Sequence, residues 1–374
     1  MNYDAIIVGG GPAGTAAGLA LSKFNLSVCL IDKCFFPRSK VCAGIITEKT
    51  IRILKKILPE FDFCNYYNLN KISLFSQSNA ECVFPIKYPL TLVDRERFDY
   101  ELLTACKNAG VHILEGTTFS QFIPSQNTLI LNDGTELSYG ILVAADGIFS
   151  PIRKALGIAD IQKGFCIQNI INKSQCSLPL VNLDKVCFDF AHIAFGYNWI
   201  LPNERNIIIG TGVLAENETY RHALTEHQKL CDHLGISDST NRKGAFLPIG
   251  DIAKQSEHPY ENIILVGDAA GFVNPITGEG IYYALLSGYY AGIAYQQDKL
   301  HYRSTYLTLF SSFTNTIQEV AKLSKNFYND KMVNNLIFQL KSCPDYISNI
   351  CDNVFSLENL SYQEFFLELT ELFQ

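Results

Sequence analysis

Two glycine-rich turns, each set between an apolar strand and a helix, constrain the fold of this chain more than any other feature. The first, Gly9-Gly10-Gly11-Pro12-Ala13-Gly14, follows a strand predicted over Tyr3 to Val8. It opens a helix predicted from about Pro12 to Phe24, and another strand follows at Leu26 to Asp32. Pro12 suits the first helical turn, where its missing N–H costs nothing. Ala13, Ala16, Ala17 and Ala20 give this helix a small face for close packing on a sheet. The pattern is the first βαβ half of a doubly wound fold. The second turn, Gly267-Asp268-Ala269-Ala270-Gly271-Phe272-Val273-Asn274-Pro275-Ile276-Thr277-Gly278-Glu279-Gly280-Ile281, follows the apolar run Ile263 to Val266. It places a carboxylate at a strand end, then a proline and two glycines at the entrance to a helix.

Between the two turns the periodicity changes. Lys71 to Leu92 shows short alternating runs such as Ile72-Ser73-Leu74-Phe75 and Cys82-Val83-Phe84, with turn residues between them. A helix from Asp94 to Ala109 leads to Val111-His112-Ile113-Leu114, and Asn132-Asp133-Gly134 marks a hairpin before the strand Ile141 to Ala145. Residues 160–250 are rich in alternating or β-branched runs, among them Val186 to Phe190 and Asn206 to Ile209, and read as an antiparallel sheet. Past residue 296 the pattern is helical; Phe327, Tyr328, Phe338, Tyr346, Phe355, Tyr362, Phe365, Phe366 and Phe373 could roof an apolar cavity or form a dimer face, and read best as helix packing. The expected fold class is α/β. A Rossmann-like domain of residues 1–70, 91–160 and 251–295 would be interleaved with an antiparallel β substrate domain of residues 71–90 and 161–250. A helical C-terminal region, 296–374, would follow.

Composition removes several classes. A formal charge of −7 argues against a generic nucleic-acid surface. No uncharged apolar run reaches the roughly 18 residues of a membrane span. Met1-Asn2-Tyr3-Asp4 lacks the basic region of a signal peptide, so a cytoplasmic location is expected. The 12 cysteines are scattered with no C-x-x-C pair, which reads as reduced thiols with no zinc or iron–sulfur spacing. His222, His227 and His233, near Glu226 and Asp232, do not stack on one helix face and read as solvated side chains, so no metal site is expected.

Gly9-x-Gly11-x-x-Gly14 has the context of a dinucleotide site. Gly9 permits the tight turn, Gly11 lets backbone approach a pyrophosphate, and Gly14 allows close helix–sheet packing. The helix N-terminus at Pro12 and Ala13 offers free N–H donors to phosphates. Asp32, at the next strand end and beside Lys33, is placed to accept hydrogen bonds from a ribose diol. Asp268 and the helix entered at Gly278-Glu279-Gly280-Ile281 then favour FAD over a nicotinamide cofactor. A carboxylate there suits the ribityl hydroxyls, and a helix N-terminus aimed at the N1/O2 edge of a flavin favours its reduced form. Gly267 and Pro275 belong to the same expected cradle. A third segment, Asp146-Gly147-x-x-Ser150-x-x-Arg153, follows a buried strand end, where Asp146 and Arg153 could instead form a structural ion pair.

In this order the three motifs resemble the FAD-binding pattern of the p-hydroxybenzoate hydroxylase-type flavoproteins, over about the first 295 residues. Further segments resemble the geranylgeranyl reductase family. Pro37-Arg38-Ser39-Lys40-Val41-Cys42-Ala43-Gly44 is similar to its P-x-x-K-x-C-G-G loop, with Ala43 in place of a glycine. Tyr197-Asn198-Trp199-Ile200-Leu201-Pro202 is similar to its Y-x-W-x-F-P motif, with Leu201 in place of Phe. Asp94-Arg95-Glu96-Arg97-Phe98-Asp99 resembles its D-R-x-x-F-D helix start. The resemblance implies a flavin-side loop at Cys42, Ala43 and Gly44, cofactor contacts from Arg38 and Arg97, and an apolar substrate cavity lined by Tyr197 and Trp199. Cys42 would tune the flavin, donate a proton or fill space.

The implied activity is FAD-dependent reduction of a carbon–carbon double bond in a prenyl-like or other apolar substrate. NADPH or another external electron donor would reduce the flavin; no second G-x-G-x-x-G marks a dedicated nicotinamide site, which leaves the donor open. The alternative is an FAD-dependent monooxygenase, in which the reduced flavin captures dioxygen and hydroxylates the substrate. Ala270-Gly271, where many monooxygenases carry Ala-His, leans towards the reductase. The W-x-W-x-I-P pattern of flavin-dependent halogenases is met only at Trp199 and Pro202. Oligomeric state, substrate identity and transient docking on a membrane surface are left open by the sequence.

Overall fold

The computed structural model describes residues 1–75, 81–173, 184–190, 193, 195–214, 219–236, 241–328, 337 and 344–356. Of the C-terminal aromatics named above, Phe338, Tyr362, Phe365, Phe366 and Phe373 lie outside these residues. Strand β1 (Asn2–Val8), helix α1 (Pro12–Ser22) and strand β2 (Val28–Ile31) form the opening βαβ unit. After β3 (Ile45–Ile46) and α2 (Glu48–Ile57) come two long strands, β4 (Tyr67–Phe75) and β5 (Glu81–Leu92). Helix α3 (Arg95–Asn108) returns the chain to β6 (His112–Leu114), β7 (Phe119–Ile123), β8 (Thr128–Leu131) and β9 (Glu136–Ala144). Helix α4 (Pro151–Ala155) precedes β10 (Lys163–Asn172), β11 (Val186–Asp189), β12 (Gly196–Pro202), β13 (Asn206–Val213), α5 (Thr219–His233) and β14 (Lys243–Pro248). The chain then adds β15 (Ile263–Leu265), α6 (Ile281–Gln297), α7 (Tyr302–Leu309), α8 (Ser311–Phe327) and α9 (Pro344–Ser356).

Two sheets result. One has the order β6-β2-β1-β9-β8-β7, with β15 also paired to β9. Its centre is parallel: Ile6 lies opposite Cys29 on β2 and Leu142 on β9, and Ile264 lies opposite Val143. Such strands are covered on both faces and therefore read as continuous apolar runs; Ala5, Ile6, Ile7, Leu142 and Val143 are wholly buried. The other sheet has the order β14-β10-β13-β12-β11-β4-β5-β3. Lys71 to Leu92 thus contributes two extended strands rather than short alternating runs. One pairing in this sheet is parallel, β11 with β4. The two strands come from separate segments, so no hairpin fixes their relative sense. Among the described residues no helix is long and apolar enough to cross a membrane.

The small face of α1 packs on a helix, not on a sheet. A Cβ on Gly288 of α6 would lie 2.1 Å from the Ala13 carbonyl oxygen and 2.9 Å from Ala16 Cβ, and one on Gly292 would lie 2.5 Å from Ala20 Cβ. The alanines of α1 and the glycines of α6 therefore let the two backbones nearly touch. The first turn is equally tight: Gly9 has φ of 109°, and a Cβ on Gly14 would stand 1.8 Å from its carbonyl oxygen.

Helix α5 corrects the reading of its histidines. His227 is fully buried, not solvated, and Glu226 is buried too. His227 shares the sheet-facing side of α5 with Ala223, Leu230 and Cys231, at the i−4, i+3 and i+4 spacings that define one face. Its ring nitrogens lie 3.1 Å from Thr211 Oγ1 and 2.8 Å from Asn169 Oδ1. Burial pushes its pKa down to about 4, so the imidazole is neutral.

The close α1–α6 contact yields a first prediction. Gly288→Val forces extra atoms into backbone and should destabilise the protein by about 1–3 kcal/mol. Urea denaturation should show a lower midpoint with an unchanged slope.

Candidate functional site

A cleft of about 870 Å³ is lined by residues of both sheets and by the two glycine-rich turns. At one end lies the uncapped N-terminus of α1: its N-cap, Gly11, offers no side-chain acceptor to the first-turn N–H groups. A Cβ at Gly11 would meet only Arg38 Nη2, at 3.6 Å, so the space beside this backbone is open towards a guanidinium. Asp32, at the end of β2, accepts hydrogen bonds from Gly10 N at 2.6 Å and Cys34 N at 2.8 Å. Both bonds fix its carboxylate at the cleft wall with lone pairs to spare.

The second turn closes on itself before entering α6. Asn274 Oδ1 accepts from Ile276 N and Thr277 N, and Gly278 N donates to the Asn274 carbonyl. Asp268 sits beside the α6 N-cap, where a Cβ on Gly280 would be 3.8 Å from its Oδ1. Helix α6 also lacks a side-chain cap. Across the cleft the Tyr197 hydroxyl donates to the Thr277 carbonyl at 2.5 Å. Burial pushes this phenol's pKa well up, so it keeps its proton. Trp199 packs over Gly210 of the neighbouring strand, and its ring centroid lies 6.0 Å from that of Tyr197. Cys42 is half-buried on the facing loop, its Sγ accepting from Gly44 N at 3.4 Å.

These residues suit FAD on observations of unmet polar groups. Two helix N-termini open on the cleft without caps, which is what a pyrophosphate and an electron-rich ring edge require. Asp146 Oδ1 is shut off from solvent with no hydrogen-bond partner among the described residues. Buried polar atoms in native folds are nearly always satisfied, so a bound polar group is the natural partner. Among the described residues no cluster of three or more His, Cys, Asp or Glu could hold a metal ion.

Most of the residues expected from sequence meet at this cleft. Gly9, Gly11, Pro12, Ala13, Asp32, Lys33, Arg38, Cys42, Ala43, Gly44, Asp146, Gly147, Tyr197, Trp199, Asp268, Gly278, Gly280 and Ile281 all line it. Gly14, Gly267 and Pro275 lie behind its wall: a Cβ on Gly267 would press on Ala13 Cβ at 2.9 Å, and Pro275 packs on Gly250. Arg97 is not at the cleft. Its half-exposed guanidinium pairs with Glu101 at 2.7 Å and covers the Tyr66 ring. Arg95, two positions earlier, is the arginine that faces inwards, held in a two-pronged pair to Asp99 at 2.8 Å on each prong. Arg38 shares the same carboxylate at 3.2 Å. The resemblance placed Arg95 and Asp99 in the helix-start motif but gave the cofactor contact to Arg97, although the i,i+4 spacing of Arg95 and Asp99 on α3 was visible. The alternative reading, a structural Asp146–Arg153 ion pair, is not formed. Arg153 donates to the Ala269 and Ile148 carbonyls and pairs with Asp160 at 2.8 Å. Asp146 accepts from Ile152 N at 3.2 Å.

Two predictions follow from these environments. Asp99 is wholly buried, so Arg95→Met leaves a buried charge short of its principal partner and should cost about 3–5 kcal/mol. Arg97→Ala removes an exposed pair and should cost no more than about 1 kcal/mol, with FAD retention unchanged. Denaturant titration and flavin fluorescence read both. Asp146 offers a pH test. Desolvation pushes its pKa up to about 6, from 3.8. The folded state therefore holds this proton after the unfolded chain has lost it, and stability from this group falls as pH rises from about 4 to 6. Thermal unfolding of the cofactor-free protein should show that fall, and Asp146→Asn should flatten it.

Comparison with known proteins agrees with the geometry. The FAD binding domain family matches residues 2–292. Geranylgeranyl diphosphate reductase of Rhodobacter capsulatus is 28% identical over 308 residues, which cover 79% of this chain and 75% of that protein. A geranylgeranyl bacteriochlorophyll reductase-like protein from Thermoplasma acidophilum shares the fold, with a TM-score of 0.74 at 19% identity over 89% of this chain and 91% of its own. A flavin-dependent brominase reaches a TM-score of 0.73 at 17% identity over 100% of this chain and 99% of its own. At such identities the structural likeness speaks for the fold alone. The chain belongs to the FAD binding domain family and is an FAD-dependent oxidoreductase, similar in sequence to proteins named geranylgeranyl diphosphate reductase.

Proposed function

We propose that this protein reduces a carbon–carbon double bond of a prenyl-like or other apolar substrate. One observation carries the reading: the cleft changes character along its length. Asp32, Arg38 and Asp146 stand beside the first glycine turn, whereas Leu74, Leu90, Phe188, Phe190, Trp199 and Phe355 line the cleft as part of one separate apolar cluster. A chamber of that composition accepts an alkyl chain and excludes water from the reacting bond.

When bound, FAD in its reduced form supplies a hydride. The chain's own residues do the rest. The N-terminus of α1, Asp32, Arg38, Asp146 and Asp268 would hold the cofactor's polar parts, and the helix start at Gly278 to Ile281 would offer N–H donors that favour negative charge on the reduced group. Tyr197, anchored on the Thr277 carbonyl, fixes the spacing between that loop and the substrate wall. Cys42 holds a proton at Sγ on the loop that lines the cleft and delivers it to the carbon that does not receive hydride. The substrate gains two hydrogens and the thiol is restored by solvent. NADPH or another external donor resupplies the electrons.

The test is to reduce the purified flavoprotein anaerobically, add a prenyl substrate and weigh the product. A gain of two hydrogens is the expected result. Cys42→Ala should lower kcat by about 10²-fold with little change in KM. A product that carries an oxygen atom from labelled dioxygen would overturn the reading in favour of hydroxylation. A bound flavin that no donor reduces would overturn it in favour of a non-catalytic role.

A further inference from the structure

Lys49, on the first turn of α2, is only 2% exposed, yet it belongs to none of the motifs above. Its Nζ pairs with Glu279 Oε2 at 2.7 Å, and the other carboxylate oxygen accepts from Thr47 Oγ1, also at 2.7 Å. Glu279 lies in the second glycine turn, at the entrance to α6, and lines the cleft. The same Nζ donates to the Val354 carbonyl at 3.2 Å, in the last turn of α9. One turn along α2, Arg52 donates to the Ser356 carbonyl at 3.4 Å. Along its length α9 is tied to β5 by Ser348 Oγ on the Pro85 carbonyl and by Lys87 N on Asp352. Val354 and Phe355 in turn face the apolar end of the cleft.

We propose that Lys49 is a positioning residue that joins the two ends of the site. Through Glu279 it fixes the loop that enters α6, and through Val354 it holds α9 as a roof over the apolar chamber. Both contacts have the right sign. A cation stabilises the carbonyl end of a helix, and an acid stabilises the N–H end. The ammonium is buried between the end of α9 and the start of α6, so it serves both, and it also compensates the Glu279 charge beside the place where a flavin takes up electrons. The inference rests on the cleft holding FAD and is independent of the reaction at its apolar end.

Two measurements on the FAD-loaded full chain test it without turnover: hydrogen exchange of residues 344–356, and the flavin midpoint potential. Lys49→Met should speed exchange in α9 by about tenfold or more, the effect of losing a charge-assisted hydrogen bond, while exchange in α3 is unchanged. It should also shift the potential to more negative values, because Glu279 loses its counter-charge. Glu279→Gln alone should shift the potential the opposite way and leave α9 protected. The double variant should recover the wild-type potential but not the protection, and Lys49→Arg should recover both. Unchanged α9 exchange in Lys49→Met, or exchange that rises equally in α3, would overturn the roof-holding role. A potential that ignores the sign of the charge change would overturn the compensation.

Discussion

The near-contact of α1 and α6 is the interaction on which the rest of this molecule depends. Ala13, Ala16 and Ala20 on one helix meet Gly288 and Gly292 on the other, with no room for an added methyl group. That proximity brings the N-termini of two helices, far apart in the chain, to one cleft. It also places Gly267 against Ala13, so the second glycine turn is set directly on the first. A dinucleotide site needs open N–H donors and backbone that a ligand can approach closely. Here both come from small residues that serve packing and binding together.

Charge is handled differently at the two ends of the cleft. At the cofactor end, buried carboxylates are held by arginines or by backbone N–H groups. Asp99 takes Arg95 and Arg38, while Asp32 takes Gly10 and Cys34. Asp146 keeps one oxygen unmatched and is correspondingly reluctant to ionise. At the apolar end the walls are aromatic and aliphatic, and the charged Lys49 and Glu279 are spent on each other at the boundary. A cleft polarised in this way suits the proposed reading, with a cofactor held at one end and a reacting bond shielded at the other.

Much of this was legible in the sequence because local rules carried it. The strand–glycine–helix turns announce themselves through spacing and composition, and Asp94 caps α3 where its sequence begins that helix. What escaped was decided by neighbours that lie distant in the chain. Arg95 and Arg97 sit two apart on one helix, and only the packing of α3 determines which of them faces inwards. Arg153 reaches Ala269 and Asp160 rather than Asp146, because the start of the second turn supplies a carbonyl there. His227 hides on the sheet-facing side of α5, although its neighbours Ala223, Leu230 and Cys231 already marked that face.

By itself the sequence determined that a doubly wound fold would carry two glycine turns suited to a dinucleotide, since turn geometry and helix starts are properties of a few consecutive residues. It also determined which residues could serve as acids, thiols and aromatic walls. Tertiary structure alone decided which of them meet. It set the alanine face of α1 on α6, paired β11 in parallel with β4, and turned Arg95 inwards. It also buried Lys49 between Glu279 and Val354. The reason is physical: these outcomes depend on surfaces contributed by distant segments, and no local propensity encodes the shape of a partner that the chain has yet to meet.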